Sequence, residues 1–341
     1  MQTGWVTFRR WIWIAGSVLL VLVIGWASFY NLGIYFVAPG QALPVASMIN
    51  VQGGRLPRTS GRLLMTDVTL GPVTPAEWVF DHLNSSISYL PASEIVGTSS
   101  QTSFTDSQLS EMADAKLSAS VAALEFAGES VDMKSGAYVA GVIPGTPADG
   151  KLKVGDVIYA VNGRSVSTAN AFVAAFSKLK PGQTVQLMLL RSTGTTQSSV
   201  SKTVAVTLGA SSVNRAKALL GIEFEGGTAY TLPRKISISS GSIGGPSAGL
   251  AFALGILEQL GKVHLPAGEV VAATGTISPT GQVGDVGGVR QKTITVISAG
   301  AVVFLVPPQE YSVAVAASHG RIKVVAVSSL RQAVKVLESL H

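Results

Sequence analysis

Hydrophobic and polar positions divide the chain into four stretches of different character. Arg9 and Arg10 precede Trp11–Tyr30, twenty residues without a charge, and a further uncharged, largely apolar run reaches Ala38. Twenty helical residues rise about 30 Å, the depth of a bilayer's hydrocarbon core. Trp11, Trp13, Trp26, Tyr30 and Tyr35 fall where aromatic rings favour the two interfaces. The pattern predicts a membrane anchor over 11–37, with 1–10 cytoplasmic, because the next basic residue is Arg55 and positive charge stays inside. A cleaved signal peptide is the alternative. Gly25-Trp26-Ala27 is a poor small-x-small site and the run is long, which favours retention. The expected location is the plasma membrane, single-pass, with the rest of the chain outside the cytoplasm.

Residues 38–130 read as a β-rich and helical extracytoplasmic segment. Ala38–Pro57 looks like an exit linker opening into short strands, and Gly61–Leu70 like a strand stopped by Gly71-Pro72. Thr74-Pro75-Ala76-Glu77 is a helix start leading into Trp78–Asn84. Gly97–Asp106 is polar and reads as loop. Ser107–Ala127 is helical, with Leu109, Met112, Leu117, Val121 and Leu124 as its apolar positions.

Over 131–210 the punctuation changes. Tyr138–Ile143 and Val157–Val161 are strands, and Asn162-Gly163 is a two-residue turn. Thr168–Leu179 is an amphipathic helix with Phe172, Ala175 and Phe176 inward, and Val185–Arg191 pairs with Val200–Leu208. From 215 to 341 strands and helices alternate. Lys235–Ser239 reads as a strand. Gly241–Leu250 is a turn opening a helix to about Leu260, with Pro246 suited to its first position and Gly261 to its end. Leu250, Phe252, Leu254, Ile256, Leu257 and Leu260 surround that helix, so it is buried.

Composition narrows the function classes. Only 13% of the 341 residues are charged against 47% hydrophobic, which excludes a disordered polyelectrolyte. The net charge of +6 is scattered, with no aromatic-interleaved basic stripe for nucleic acid. There is no cysteine, and the 4 histidines (His82, His264, His319, His341) are not at ligand spacing, so no metal or other cofactor is expected.

Two residues suggest chemistry. Ser247 stands at the start of a buried helix, where free N–H groups and the positive end of the dipole favour an oxyanion. Serine needs a base, and His264 and His319 lie in no triad context. Lys292 lies on an apolar face of the helix predicted over Gly287–Gly300, with Val289, Val296 and Ala299 beside it. Burial there would lower its pKa enough for it to serve. Arg290 points elsewhere and reaches solvent.

Family patterns match these residues. Ala140–Ala148 and Gly155–Val166 resemble a PDZ domain of the bacterial protease type, which implies a β-sandwich or barrel-like unit with helices that adds peptide C-termini to a sheet edge. The glycine–hydrophobic carboxylate loop is not evident upstream of Ser135, which leaves peptide capture open beside a spacer or gating role. Gly245-Pro-Ser-Ala-Gly249, Thr274–Gly281 and Gly287–Lys292 resemble the Lon protease family over about Leu219–Leu340. That resemblance implies a C-terminal α/β proteolytic domain with Ser247 as nucleophile, Lys292 as general base and Thr274 orienting the lysine. Gly245, Pro246 and Ala248 form the nucleophile and oxyanion turn. Gly244 departs where many members have Asp, implying altered regulation. No P-loop is present: Gly255 to Gly261-Lys262 has five intervening residues and Val263 follows.

The whole is expected to be an α+β multidomain protein, similar to membrane-anchored PDZ-containing Lon-like proteases of bacteria. The implied function is ATP-independent cleavage of unfolded or specific envelope proteins. Protein or peptide substrates, the lipid bilayer and further copies of the chain, as a hexameric ring, are the implied partners. The rival readings are a catalytically silent PDZ scaffold and a signalling protease with one membrane substrate.

Overall fold

The computed structural model describes all residues except 1–2, 56–60, 82–84, 98, 193–197 and 341. Side chains of 3–10, Ile12, Leu20, Ile24, Phe80 and Asp81 are likewise outside it. His82, His341, the end of the expected linker at Pro57 and the expected helix end at Asn84 therefore fall outside the described residues.

Helix α1 (Thr3–Phe29) exposes Trp11, Trp13, Ile14, Val18, Leu19 and Leu22. Among the described residues no helix is long and apolar enough to cross a membrane. The apolar run does not continue as helix to 37. Asn31 Oδ1 accepts from Gly33 N–H (2.8 Å), the chain turns, and β1 (Ile34–Pro44) begins. Tyr35, expected at a membrane interface, is instead buried in a sheet, and its hydroxyl hydrogen-bonds Gln101 Oε1.

After β1 come β2 (Ile49–Val51), β3 (Arg62–Pro72) and β4 (Ser88–Pro91). Residues expected to form a linker are thus largely strand. Pro39-Gly40 and Gly53-Gly54 suggested a linker, yet 34–44 pairs antiparallel with β3 and β4 around an irregularity between Pro39 and Ala42. Helix α2 (Gln101–Ala127) starts six residues before its predicted start at Ser107, because the Ser100 side chain accepts from Ser103 N–H and caps it.

The remaining elements of this body follow a long excursion. They are β10 (Ile236–Ile238), α4 (Gly249–Gln259), β11 (Val270–Ala273), α5 (Val289–Ser298), β12 (Val303–Val306), α6 (Tyr311–Ser318), β13 (Lys323–Ala326) and α7 (Leu330–Glu338). One six-stranded sheet runs β13-β12-β11-β3-β1-β4, parallel from β13 to β3. Segment 38–130, read from sequence as a unit of its own, is therefore one body with the C-terminal region. The reason is that β3 is apolar on both faces. Leu63 and Met65 join the core beneath α2, α4 and α7, while Leu64 joins the one beneath α5 and α6.

The excursion has its own sheet, in the order β9-β5-β6-β7-β8. Its strands are β5 (Asp132–Val142), β6 (Val157–Val161), β7 (Thr184–Ser192), β8 (Ser199–Thr207) and β9 (Ile222–Thr231), with helix α3 (Ala169–Phe176) packed on them. It has a separate core around Ala137, Ile158, Phe172 and Leu187. The unit therefore runs to Thr231 rather than 210, since β9 pairs with β5 from Ile222↔Val142 to Thr231↔Asp132. Both crossings between the bodies lie at one end of this ribbon. There Arg234 donates through Nε and Nη2 to Glu129 (both 2.7 Å) and through Nη1 to Gln52 O (2.9 Å).

Two truncations test this architecture. Excising 133–230 behind a short Gly-Ser linker should leave a cooperatively melting body, because the chain on either side already meets at Glu129 and Arg234. A fragment beginning at 215 lacks β1 and β3, leaves the apolar edge of β11 bare, and is expected to give no cooperative transition by circular dichroism.

Candidate active site

Ser247 lies in the turn that feeds α4. The helix begins at Gly249 with Ala248 as its N-cap, three residues later than Pro246 would place it. Gly245 has φ +84, a left-handed turn that suits glycine. Its N–H donates to Gln108 O of α2 (2.8 Å), so it is not available to an oxyanion. Pro246 has no N–H, and its carbonyl accepts from Gly249 (3.2 Å). Directly ahead of α4, the N–H groups of Ser247 and Ala248 have no acceptor among the described residues. They stand at the positive end of a helix whose residues are all buried.

Thr274 and Gly275 follow β11. Thr274 N–H donates to Leu305 O (3.0 Å), Gly275 N–H to Ser247 O (2.9 Å), and Leu250 N–H to Gly275 O (3.0 Å), lacing the nucleophile turn to the sheet. The Thr274 hydroxyl, fully buried, donates to Ser247 O (3.2 Å). Its oxygen also accepts from Lys292 Nζ (3.3 Å). One hydroxyl therefore ties the Ser247 backbone to the amine, and it fixes which way an Nζ–H points.

Lys292 is in the first turn of α5, behind the αL N-cap Gly288 (φ +68), and is only 2% exposed. Val289 and Val296 are buried on the same helix, while Arg290 reaches outward to Ser85 O (2.7 Å). Burial lowers the lysine from 10.5 to about 8, against the opposing pull of Asp67 and Glu310. Ser247 and Lys292 open on a common cleft of about 890 Å³ that also exposes Asp67, Val68, Gln108 and Ser240–Gly244. The pair can transfer a proton from a hydroxyl to a neutral amine beside two free N–H donors, the set that acyl transfer needs.

The turn at Gly244 has a packing reason. A Cβ there would lie 2.7 Å from Gln108 Cβ, so α2 occupies the place a side chain would take. Gln108, Asp67 and Glu310 were missed by sequence reasoning, because each reaches the site from an element remote from the motifs. His264 and His319 do not line the cleft. Among the described residues no cluster of three His, Cys, Asp or Glu could hold a metal.

In the second body, β9 is an edge strand facing α3 across a groove of about 400 Å³ lined by Phe172, Val173, Phe176, Leu179 and Ala218–Ile222. Ile143 N–H donates to Gly221 O (3.0 Å), which leaves the N–H and C=O of Ile222 on the free edge. The glycine–hydrophobic loop that is absent upstream of Ser135 lies here, as Leu219-Leu220-Gly221-Ile222.

Burying Lys292 makes stability depend on pH. Between about 8 and 10.5 the unfolded chain binds more protons at this site than the folded one, so stability rises with pH through that window. Lys292→Met is expected to raise Tm at pH 7 and to lose that advantage toward pH 10, read by thermal melts at each pH.

A family model described as a PDZ domain matches residues 117–206, and one described as the Lon protease (S16) C-terminal proteolytic domain matches 190–337. No curated protein matches the chain. Among solved structures, the PDZ domain of an SdrC-like protein from Listeria monocytogenes is 23% identical, covering 26% of this chain and 86% of its own, with a TM-score of 0.23. Its counterpart from Listeria innocua is 26% identical, covering 26% and 92%, with a TM-score of 0.22. The chain thus joins a PDZ domain to a Lon-type C-terminal proteolytic domain, the composition of a PDZ-containing Lon-like protease.

Proposed function

We propose that the protein is an ATP-independent serine endopeptidase in which Ser247 and Lys292 form the catalytic pair. The observation that carries this reading is the buried lysine held by Thr274 against the backbone of Ser247. Neutral Lys292 takes the proton from Ser247 Oγ as the oxygen attacks the peptide carbonyl. The N–H groups of Ser247 and Ala248 receive the oxyanion, the lysine returns the proton to the leaving amine, and water then releases the acyl group.

Extended or unfolded polypeptide is the substrate this site fits. β10 pairs on one side only, with β2, and leads directly into the nucleophile turn. A substrate strand added to its other edge would run toward Ser247. The PDZ domain would capture peptide C-termini at Ile222, with Lys217 at the groove adding positive charge near the carboxylate.

The proposed setting is a bacterial plasma membrane, with α1 as a single anchor, the N-terminus cytoplasmic and both domains outside. The uncharged run Trp11–Tyr30 and the exposed apolar side chains of α1 support it. Tyr311 and Val315, one turn apart on α6, expose an apolar strip that supports self-association.

The test compares wild type with Ser247→Ala and Lys292→Gln on an unfolded protein without ATP. Fragments are expected from wild type alone, with both variants at least about 10³-fold slower. Because the neutral amine is the active form, kcat/KM should rise with pH through about 8. A wild-type rate in Ser247→Ala would remove the nucleophile assignment.

A further inference from the structure

Among the described residues lining the cleft, Asp67 and Lys292 are the two that carry charge, and the catalytic arrangement above leaves Asp67 without a role. Its carboxylate is seated by a deliberate feature of the sheet. β1 and β3 pair regularly except between Pro39 and Ala42, where Gly40 and Gln41 form a bulge. Bulges re-aim side chains beside sites. Here Gln41 N–H donates to Asp67 Oδ1, and a Cβ on Gly40 would fall on the same carboxylate, so only glycine fits. The next residue, Val68, packs on Gly288, where a Cβ would lie 2.7 Å from Val68 Cγ1. Two consecutive residues of β3 thereby meet the bulge and the start of the lysine helix.

Asp67 is not among the ion pairs of the described residues, and Lys292 Nζ donates to Thr274 instead. That distinction matters chemically. A contact ion pair would keep the amine protonated, whereas a carboxylate across the cleft leaves the lone pair free and still favours the ammonium once it forms. The other charge facing Lys292 is Glu310, ahead of α6, whose Oε1 accepts from Val286 N–H (3.2 Å) in the loop before α5. β1 and α6, which also pack on α5, carry no charged residue, Arg62 lies at the far end of β3, and Arg290 points away to Ser85.

We propose that Asp67 is a positioning acid for Lys292: from its seat at the bulge it draws the amine into the cleft toward Ser247 and stabilises the ammonium formed when Lys292 takes the serine proton. The proposal rests on the Ser–Lys reading above, and the proton it concerns moves from Ser247 Oγ to Nζ and on to the leaving amine.

Full-length Asp67→Asn keeps the acceptor for Gln41 N–H and removes the charge. The acid limb of kcat/KM is expected to move about 1 unit lower in pH, because the ammonium loses a partner. On the plateau kcat should fall about tenfold while KM for an unfolded substrate stays within about twofold. Asp67→Glu, which restores the charge, should return the limb toward the wild-type position. A limb that stays in place with wild-type kcat would overturn the proposal. A readout independent of turnover separates this from failure of the catalytic pair. The Lys292 13Cε shift, assigned through Lys292→Arg, is titrated by NMR in Ser247→Ala with and without Asp67→Asn. A lower titration midpoint with Asp67→Asn supports the proposal, and an unchanged one overturns it whatever the activity of Ser247→Ala.

Discussion

A primary amine held in an almost dry position beside an open cleft is the constraint on which the rest of this structure turns. Water would keep Lys292 charged, whereas the proposed base needs a neutral amine, and a fully sealed core would close off the approach that role requires. The fold meets both demands by placing the lysine in the first turn of α5, beneath β1 and β3, with its head emerging beside Thr274. The same strands that exclude water bring the Asp67 carboxylate to the cleft wall. Lowering the lysine by burial and moderating that effect with two acids are therefore consequences of one packing arrangement.

The PDZ unit is inserted into this body rather than placed ahead of it. Its first and last strands form one ribbon, rooted where Glu129 meets Arg234. From the free edge at Ile222 the backbone passes through Leu232, a member of the core shared with α4, to β10 and the Ser247 turn. The groove in one domain and the open strand in the other thus lie on a single stretch of chain.

Much of the site was legible because its signals are local. A glycine in the αL region before α5, another after it, and a proline-containing turn ahead of a wholly apolar helix each leave their mark within a few residues. The PDZ strands and the helix around Phe172 were legible for the same reason. β1 was not, since Pro39, Gly40 and Pro44 carry the composition of a linker while serving a bulged strand. Tyr35 belonged to an uncharged run by composition and to a sheet by pairing. The glycine–hydrophobic loop was sought ahead of the first PDZ strand and lies immediately ahead of the last.

The sequence by itself determined the chemical groups: a serine at a helix start, a lysine on an apolar face, and a threonine between them in chain order. Periodicity records that a face is buried, because burial selects residue type position by position. It does not record what covers that face. Only the tertiary structure decided that Leu63 would lie beside Val271, that Gln108 would fill the space at Gly244, and that Asp67 would share a cleft with Lys292. Those pairings are made by backbone hydrogen bonds and close packing between segments far apart in the chain, and such contacts leave no local pattern in either partner.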